Sequence, residues 1–296
     1  MRTLKEIIER AEKKRIAVGH FNISNLEQLK AIANVAMKIN LPVVIGVSEG
    51  ERDFIGVRLA RDIVNSYNRE FGKKDGFWLF LNADHTRSLE NVEKVAREGF
   101  DSIIFDGANL PFEENIRKTT EAVKIVKKYS TLRHRILIEG ELGYIGTSSQ
   151  LLDAIPEGVA VDAERFTTPE DAARFVRETK VDMLAPAVGN IHGMLRDMPN
   201  PRLDIERIKR IRDATGTPLV LHGGSGISDD DFRAAIDAGI SIIHISTEIR
   251  VAWRNGIEES LKSKSNEVAP YKLMPEVLKV IETVVENRLK LFSKLP

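Results

Sequence analysis

The sequence predicts an α/β protein, a (β/α)8 TIM barrel with additional C-terminal helices, on three observations. Short apolar runs alternate with helical patterns along the whole chain. The runs are continuously apolar, so each strand is covered on both faces, and strand followed by helix means parallel pairing. Eight such units within 296 residues suit a closed barrel, for which about 250 residues is typical, better than an open doubly wound sheet. No change of composition marks a linker, so residues 1–296 are expected to form a single barrel domain.

"IAVGHF" precedes "NLEQLKAIANVAMKI", where Leu26, Leu29, Ile32, Ala33 and Ala36 fall at the spacing of one helical face. "LPVVIGV" and "GFWLFL" read as the next strands. In "SLENVEKVAREG", Ser88 is the expected N-cap, Leu89, Val92, Val95 and Ala96 form the stripe, and Gly99 is the stop. "DSIIFD" leads into "PFEENIRKTTEAVKIVKKY", and "RILIEGE" leads into a stretch without clear periodicity. "TTPEDAARFVRET" opens with a Thr168 cap and Pro169 in the first turn. The strands "VDMLAPAV", "TPLVLHGGSG" and "ISIIHIS" then alternate with "LDIERIKRIRDATG" and "SDDDFRAAIDAG" before a helical tail. In that tail Leu278, Ile281, Val285 and Leu289 recur at helical spacing, a stripe read as packing on its own barrel in preference to a partner subunit.

Composition narrows the function classes. With 42% hydrophobic and 30% charged residues, disorder and membrane spans are disfavoured. Lys plus Arg equals Asp plus Glu at 44 each, so no global field gathers nucleic acid or an anionic membrane, and any anion must be bound locally. The absence of cysteine excludes disulfides, thiolate metal sites and a Cys nucleophile. The charged amphipathic start lacks the apolar core of a signal peptide, which makes the cytoplasm the default location.

Barrel enzymes build their sites at the C-terminal ends of the strands. Here those positions hold Asn22, Ser48 and Glu49, Asp84 and His85, Asp106, Glu139 and Glu141, His192, His222 and His244. Any one of these histidines alone is ordinarily a satisfied core or rim residue, but four of the six on one rim are harder to dismiss. Three neutral imidazoles with an open fourth position let zinc act as a Lewis acid on a carbonyl, and Asp84 beside His85 can move a proton next to the metal. His20 and His134 are given no role; His20 is read as pointing away from the neighbourhood of Asn22 or into the packed interior.

"HGGSG", residues 222–226, follows a strand and precedes a capped helix. In this fold the loops after the seventh and eighth strands are the usual phosphate site, where glycines let backbone N–H groups approach an anion. Arg196, just beyond His192, is either a phosphate partner or a solvated surface residue. None of the eight strand runs contains a lysine, so no Schiff-base nucleophile lies inside the barrel and carbonyl chemistry falls to a metal.

The order "FNISNLEQ", "GVSEGE", "LNADHT", "IIFDGANLPFEENI", "IEGELGYIG", "LAPAVGNIHG", "LVLHGGSGI" and "ISTEIR" resembles the class II, metal-dependent ketose-bisphosphate aldolases, and the likeness covers almost the whole chain. The resemblance implies that His85, His192 and His222 hold a catalytic Zn2+ and that Asp84 is the proton donor or acceptor at the aldol carbon. It implies Asp106 and Glu141 at a second metal position, for a further divalent or monovalent cation, and Ser48 at the aldehyde product. It further implies that Gly193, Gly223, Gly224, Ser225, Ser246 and Thr247 hold the phosphate of dihydroxyacetone phosphate, with Asn22, Arg196 and His244 also facing substrate. The implied reaction cleaves a ketose 1,6-bisphosphate, fructose 1,6-bisphosphate first, to dihydroxyacetone phosphate and glyceraldehyde 3-phosphate through an enediolate. A homodimer or homotetramer is implied as well.

Three positions depart from the family pattern. Where the last strand usually carries a Lys and then an Asn, this chain has Ile242 and His244. The flexible loop that usually carries a catalytic Glu has Ser149, with Asp153 or Glu157 as nearby substitutes, and Arg196 stands where a Lys is usual. These departures keep two other readings open: the same chemistry on another phosphorylated ketose or aldehyde, and a non-catalytic sugar-phosphate-binding subunit.

Overall fold

The computed structural model describes residues 3–296 except Lys74, Leu132, Arg133 and Ser148. Met1 and Arg2 of the charged opening, Leu132 and Arg133 of the basic run before the fifth strand, and Ser148 of the loop after "ELG" thus lie outside the described residues. The barrel strands are β1 (Val18–Asn22), β2 (Pro42–Val47), β3 (Trp78–Thr86), β4 (Ser102–Phe105), β5 (Leu137–Leu142), β7 (Met183–Pro186), β9 (Leu219–Leu221) and β10 (Ile240–Ile245). They close in the order β1-β10-β9-β7-β5-β4-β3-β2, every pair parallel. The chain is a (β/α)8 TIM barrel. Two short strands, β6 (Leu151–Leu152) and β8 (Met194–Leu195), pair outside it; they lie in the connections that follow β5 and β7.

The barrel interior is layered by strand alternation. Its lower layer is apolar: Val18, Val44, Phe80, Leu137, Met183, Val220 and Ile242 pack against Leu4, Ile7, Ile8 and Ala11 of helix Leu4–Lys14, which closes the N-terminal end. One step up each strand, the inward positions become His20, Gly46, Asn82, Glu139, His222 and His244. A change from apolar to polar within the barrel is what separates the stabilising end from the reactive one.

The outer helices confirm most of the expected signals. Ser88 Oγ accepts from the Asn91 N–H at 3.1 Å, and Thr168 Oγ1 accepts from the Asp171 N–H at 3.1 Å, so both are N-caps. Leu29, Ile32, Ala33 and Ala36 are buried, but Leu26 is 53% exposed; it is the first residue of helix Leu26–Ile39, where the expected stripe has not yet met the barrel. Helices Glu49–Ile55 and Val57–Phe71 stand between β2 and β3. The tail helix Pro270–Phe292 buries Val277, Ile281, Val285, Leu289 and Phe292 against this chain's own core, with Leu278 only half-buried. Leu289 reaches β1, where a Cβ on Gly19 would meet its Cδ2 at 2.8 Å. No helix among the described residues is long and apolar enough to cross a membrane.

Candidate active site

Successive residues of a strand point to opposite faces, yet Asp84 and His85 both reach the barrel mouth. The register of β3 against β4 shifts between Ala83 and Thr86, and His85 lies at φ 43°, a left-handed conformation uncommon outside glycine. This local distortion turns two neighbours toward one point. Arg52 holds it in place: the buried guanidinium donates to the carbonyls of Val47 and Asp84 and to Thr86 Oγ1. Arg52 has no signature in the sequence, because two of its three partners lie on β3, more than thirty residues away.

His85, His192 and His222 come together with their ligand-type nitrogens within 4.8 Å of one another. Each ring has one nitrogen committed elsewhere. His192 Nδ1–H donates to the Gly146 carbonyl at 2.6 Å, His222 Nε2–H donates to Glu139 Oε1 at 2.8 Å, and His85 Nδ1 faces Asp106 Oδ2 at 3.1 Å and Glu141 Oε2 at 3.3 Å. That leaves His192 Nε2, His222 Nδ1 and His85 Nε2 to converge, the last two 3.3 Å apart. Two nitrogens bound at zinc's usual 2.0–2.1 Å in a tetrahedron stand about 3.3 Å apart, so the donor set fits a zinc-sized ion with its outer partners already in place. His85, Asp106 and Glu141 make a second group of donors within the same 4.8 Å span.

The electrostatics sort the groups. Burial, with His85 and His222 nearby, lowers His192 to about 3, so this ring is neutral. Burial opposes charge on His85, but Asp84, Glu141 and Asp106 outweigh it and hold that ring well above its usual range; an incoming metal ion therefore displaces a proton there. Burial alone would raise Asp84, yet His85, His244 and His20 hold it well below the usual carboxylate range. Asp84 is ionised. Its Oδ2 accepts from Asn22 Nδ2 at 2.8 Å, and its buried Oδ1 has no hydrogen-bond partner among the described residues.

Around this centre lie Asn22, Ser149, Gly193, Gly223, Gly224, Ser225, His244, Ser246 and Thr247. Glycine is required at 223, where φ is 61° and a Cβ would stand 2.2 Å from the Ile191 carbonyl oxygen. Ser246 Oγ is buried without a hydrogen-bond partner among the described residues at the start of helix Thr247–Ser263, whose first N–H groups have no partner within the helix. Together these form an anion-sized cradle. A separate apolar crevice, between the first helix and Trp78 at the opposite end of the barrel, carries none of these groups.

Two expected substrate contacts lie elsewhere. Arg196 is half exposed and its Nε donates to Asp153 Oδ1 at 3.0 Å, turned away by the β6–β8 pair. Ser48 precedes helix Glu49–Ile55 and its N–H donates to Glu51 Oε2 at 2.7 Å; it does not line the pocket. Asp153, tied to Arg196 and 87% exposed, does not reach the centre. His20 points inward, not away: alternation puts residues 20 and 22 on the same face, and the His20 ring stacks on His244 with centroids 3.4 Å apart. That parity was the available signal. His134 bonds the Phe100 carbonyl at 3.1 Å, a structural contact.

Residues 2–295 match the family model "Fructose-bisphosphate aldolase class-II". The chain is 32% identical to the fructose-bisphosphate aldolase of Geobacillus stearothermophilus, covering 98% of this chain and 96% of that one. It is also 32% identical to the 6-phospho-5-dehydro-2-deoxy-D-gluconate aldolase of Shouchella clausii, over 96% and 91% of the two chains. Among solved structures, the YdjI aldolase of Escherichia coli K12 superposes with a TM-score of 0.79 at 31% identity, covering 98% of this chain and 96% of that one. A match over almost the full length, on a barrel whose mouth gathers histidines and carboxylates, places this chain in the class II fructose-bisphosphate aldolase family, a family of metal-dependent lyases.

Proposed function

We propose that the protein is a zinc-dependent aldolase that cleaves a ketose 1,6-bisphosphate between its third and fourth carbons, with fructose 1,6-bisphosphate the first substrate to test. The observation that carries this reading is an ionised Asp84, one oxygen of which has no hydrogen-bond partner among the described residues, beside three converging imidazoles. His85, His192 and His222 would hold the ion, which would supply Lewis-acid stabilisation of the negative charge that develops at the substrate carbonyl.

The remaining work falls to the chain. Asp84 Oδ1 takes the proton from the hydroxyl of the departing half, while Asn22 on Oδ2 keeps the carboxylate aimed. Gly193, Gly223, Gly224, Ser225, Ser246 and Thr247 seat one phosphate, so the scissile bond is placed by binding energy remote from it. Asp106 and Glu141 orient His85 and offer a second cation position. Removal of metal with a chelator is expected to abolish cleavage in a coupled triose-phosphate assay, and added zinc to restore it. Cleavage that persists in metal-free protein overturns the proposal.

A second reading, aldol chemistry on another phosphorylated ketose, is favoured by His244 in the pocket and by Ser149 at the loop position that usually carries Glu. Negligible turnover of fructose 1,6-bisphosphate by zinc-loaded protein, with cleavage of another ketose phosphate, selects it. We also propose a homodimer or homotetramer. Leu261, Val268 and Tyr271, 51%, 90% and 75% exposed at the helical hairpin, support it as apolar surface open to a second copy. Light scattering is expected to return two or four times 33.2 kDa; a monomer mass rejects it.

A further inference from the structure

His20 has no part in the mechanism above, yet the barrel is shaped around it. Its ring is 1% exposed and lies parallel to that of His244, at 3.4 Å and 2°. His244 in turn stacks on His222 at 4.0 Å and 28°, so His20 lies behind the two stacked imidazoles that line the pocket. The seat of His20 is built from both sides. A Cβ on Gly46 would stand 2.1 Å from His20 Cε1, so only glycine fits there. Ser102 Oγ–H donates to Asn82 Oδ1 at 2.8 Å, which turns the Asn82 amide nitrogen toward His20 Nε2 at 3.0 Å. Nε2 is therefore the acceptor, and the proton of the neutral ring is on Nδ1.

This arrangement does not suit a metal. His20, Asp84 and His244 have donor atoms within 4.8 Å of one another, but parallel rings cannot aim in-plane lone pairs at one ion. What the stack does is hold a ring in place. His244 Nδ1 stands 3.5 Å from Asp84 Oδ1, beside the oxygen that meets the substrate hydroxyl, and the face-to-face contact with His20 removes the freedom of His244 to swing about χ2.

We propose that His20 is a positioning residue, and that the His20–His244 stack acts as one unit that reads the configuration of the ketose phosphate at its fourth carbon. The inference rests on the reading that Asp84 serves the hydroxyl on that carbon. Fructose and tagatose 1,6-bisphosphates differ only there, so the unit sets the preference between them.

The test uses zinc-loaded wild type, His20→Ala, His20→Phe, His244→Asn and the His20→Ala/His244→Asn double variant, with kcat and KM measured on both bisphosphates. His20→Ala is expected to lower kcat about 10-fold and to shift the fructose-to-tagatose ratio of kcat/KM about 5-fold, with zinc content unchanged. His20→Phe keeps a ring in the stack and is expected to stay within about 3-fold of wild type. In the His244→Asn background, His20→Ala is expected to move the ratio less than about 2-fold, the non-additivity of a coupled pair. Equal effects of His20→Ala in both backgrounds, or an unchanged ratio, overturn the proposal. Wild type that cleaves neither bisphosphate instead removes the functional reading. Positioning is then read without turnover, from imidazole 15N shifts: His20→Ala moves the His244 signals if the stack holds that ring, and leaves them in place if it does not.

Discussion

Asp84→Asn is expected to lower kcat by about 10²- to 10⁴-fold, the range of a lost general base, while zinc content stays at the wild-type level. The two effects separate because Asp84 is not among the converging nitrogens: its Oδ1 is 3.8 Å from His85 Nε2, beside the ion's position without occupying it. KM is expected to change far less than kcat, since the residues proposed to seat the phosphate lie on other loops. An amide at 84 can also turn its nitrogen toward Asn22 Nδ2, placing donor against donor across the present 2.8 Å contact. Asp84→Ala, which makes no such clash, is the control for that effect. If both variants retain kcat within about 10-fold of wild type, Asp84 is not the base and the proton transfer belongs to another group.

The fold was legible because it rests on patterns that local sequence carries. Continuous apolar strands, the caps at Ser88 and Thr168 and the stripe around Ile281 are short-range features, and they appear where the spacing predicts them. The rim of histidines was legible for a related reason, since the end of an apolar run marks the end of a strand. Three things were not. The bulge at His85 depends on pairing with β4 and on Arg52, neither of which is local. The turn of Arg196 toward Asp153 depends on the two-residue pairing of β6 with β8, too short to leave a period. For His20 the alternative of pointing away fails on its local parity with Asn22, while the partner at 244 that seats it in the interior is brought opposite only by closure of β1 onto β10.

His222→Ala is expected to remove both zinc and cleavage, and to destabilise the fold by more than the loss of a ligand alone. The reason is Glu139. Its carboxylate is 1% exposed and receives its hydrogen bond from His222 Nε2 at 2.8 Å; deleting the ring leaves a buried charge without its partner, a change that costs about 3–5 kcal/mol. Burial already pushes the Glu139 carboxyl up, against the pull of His222, and without His222 that upward push is unopposed by the pair. A carboxyl whose folded pKa lies above its unfolded value destabilises the fold above the unfolded pKa, and the penalty fades as pH falls below it. The variant is therefore expected to lose more Tm at pH 8 than at pH 5, relative to metal-free wild type at the same pH. In His222→Ala/Glu139→Gln the charge is gone, so most of the lost Tm is expected to return at pH 8 while zinc binding and cleavage stay absent. Thermal denaturation of the three metal-free proteins decides it: a His222→Ala loss that does not depend on pH, or that Glu139→Gln fails to relieve, means that the Glu139 charge is not what the ring stabilises.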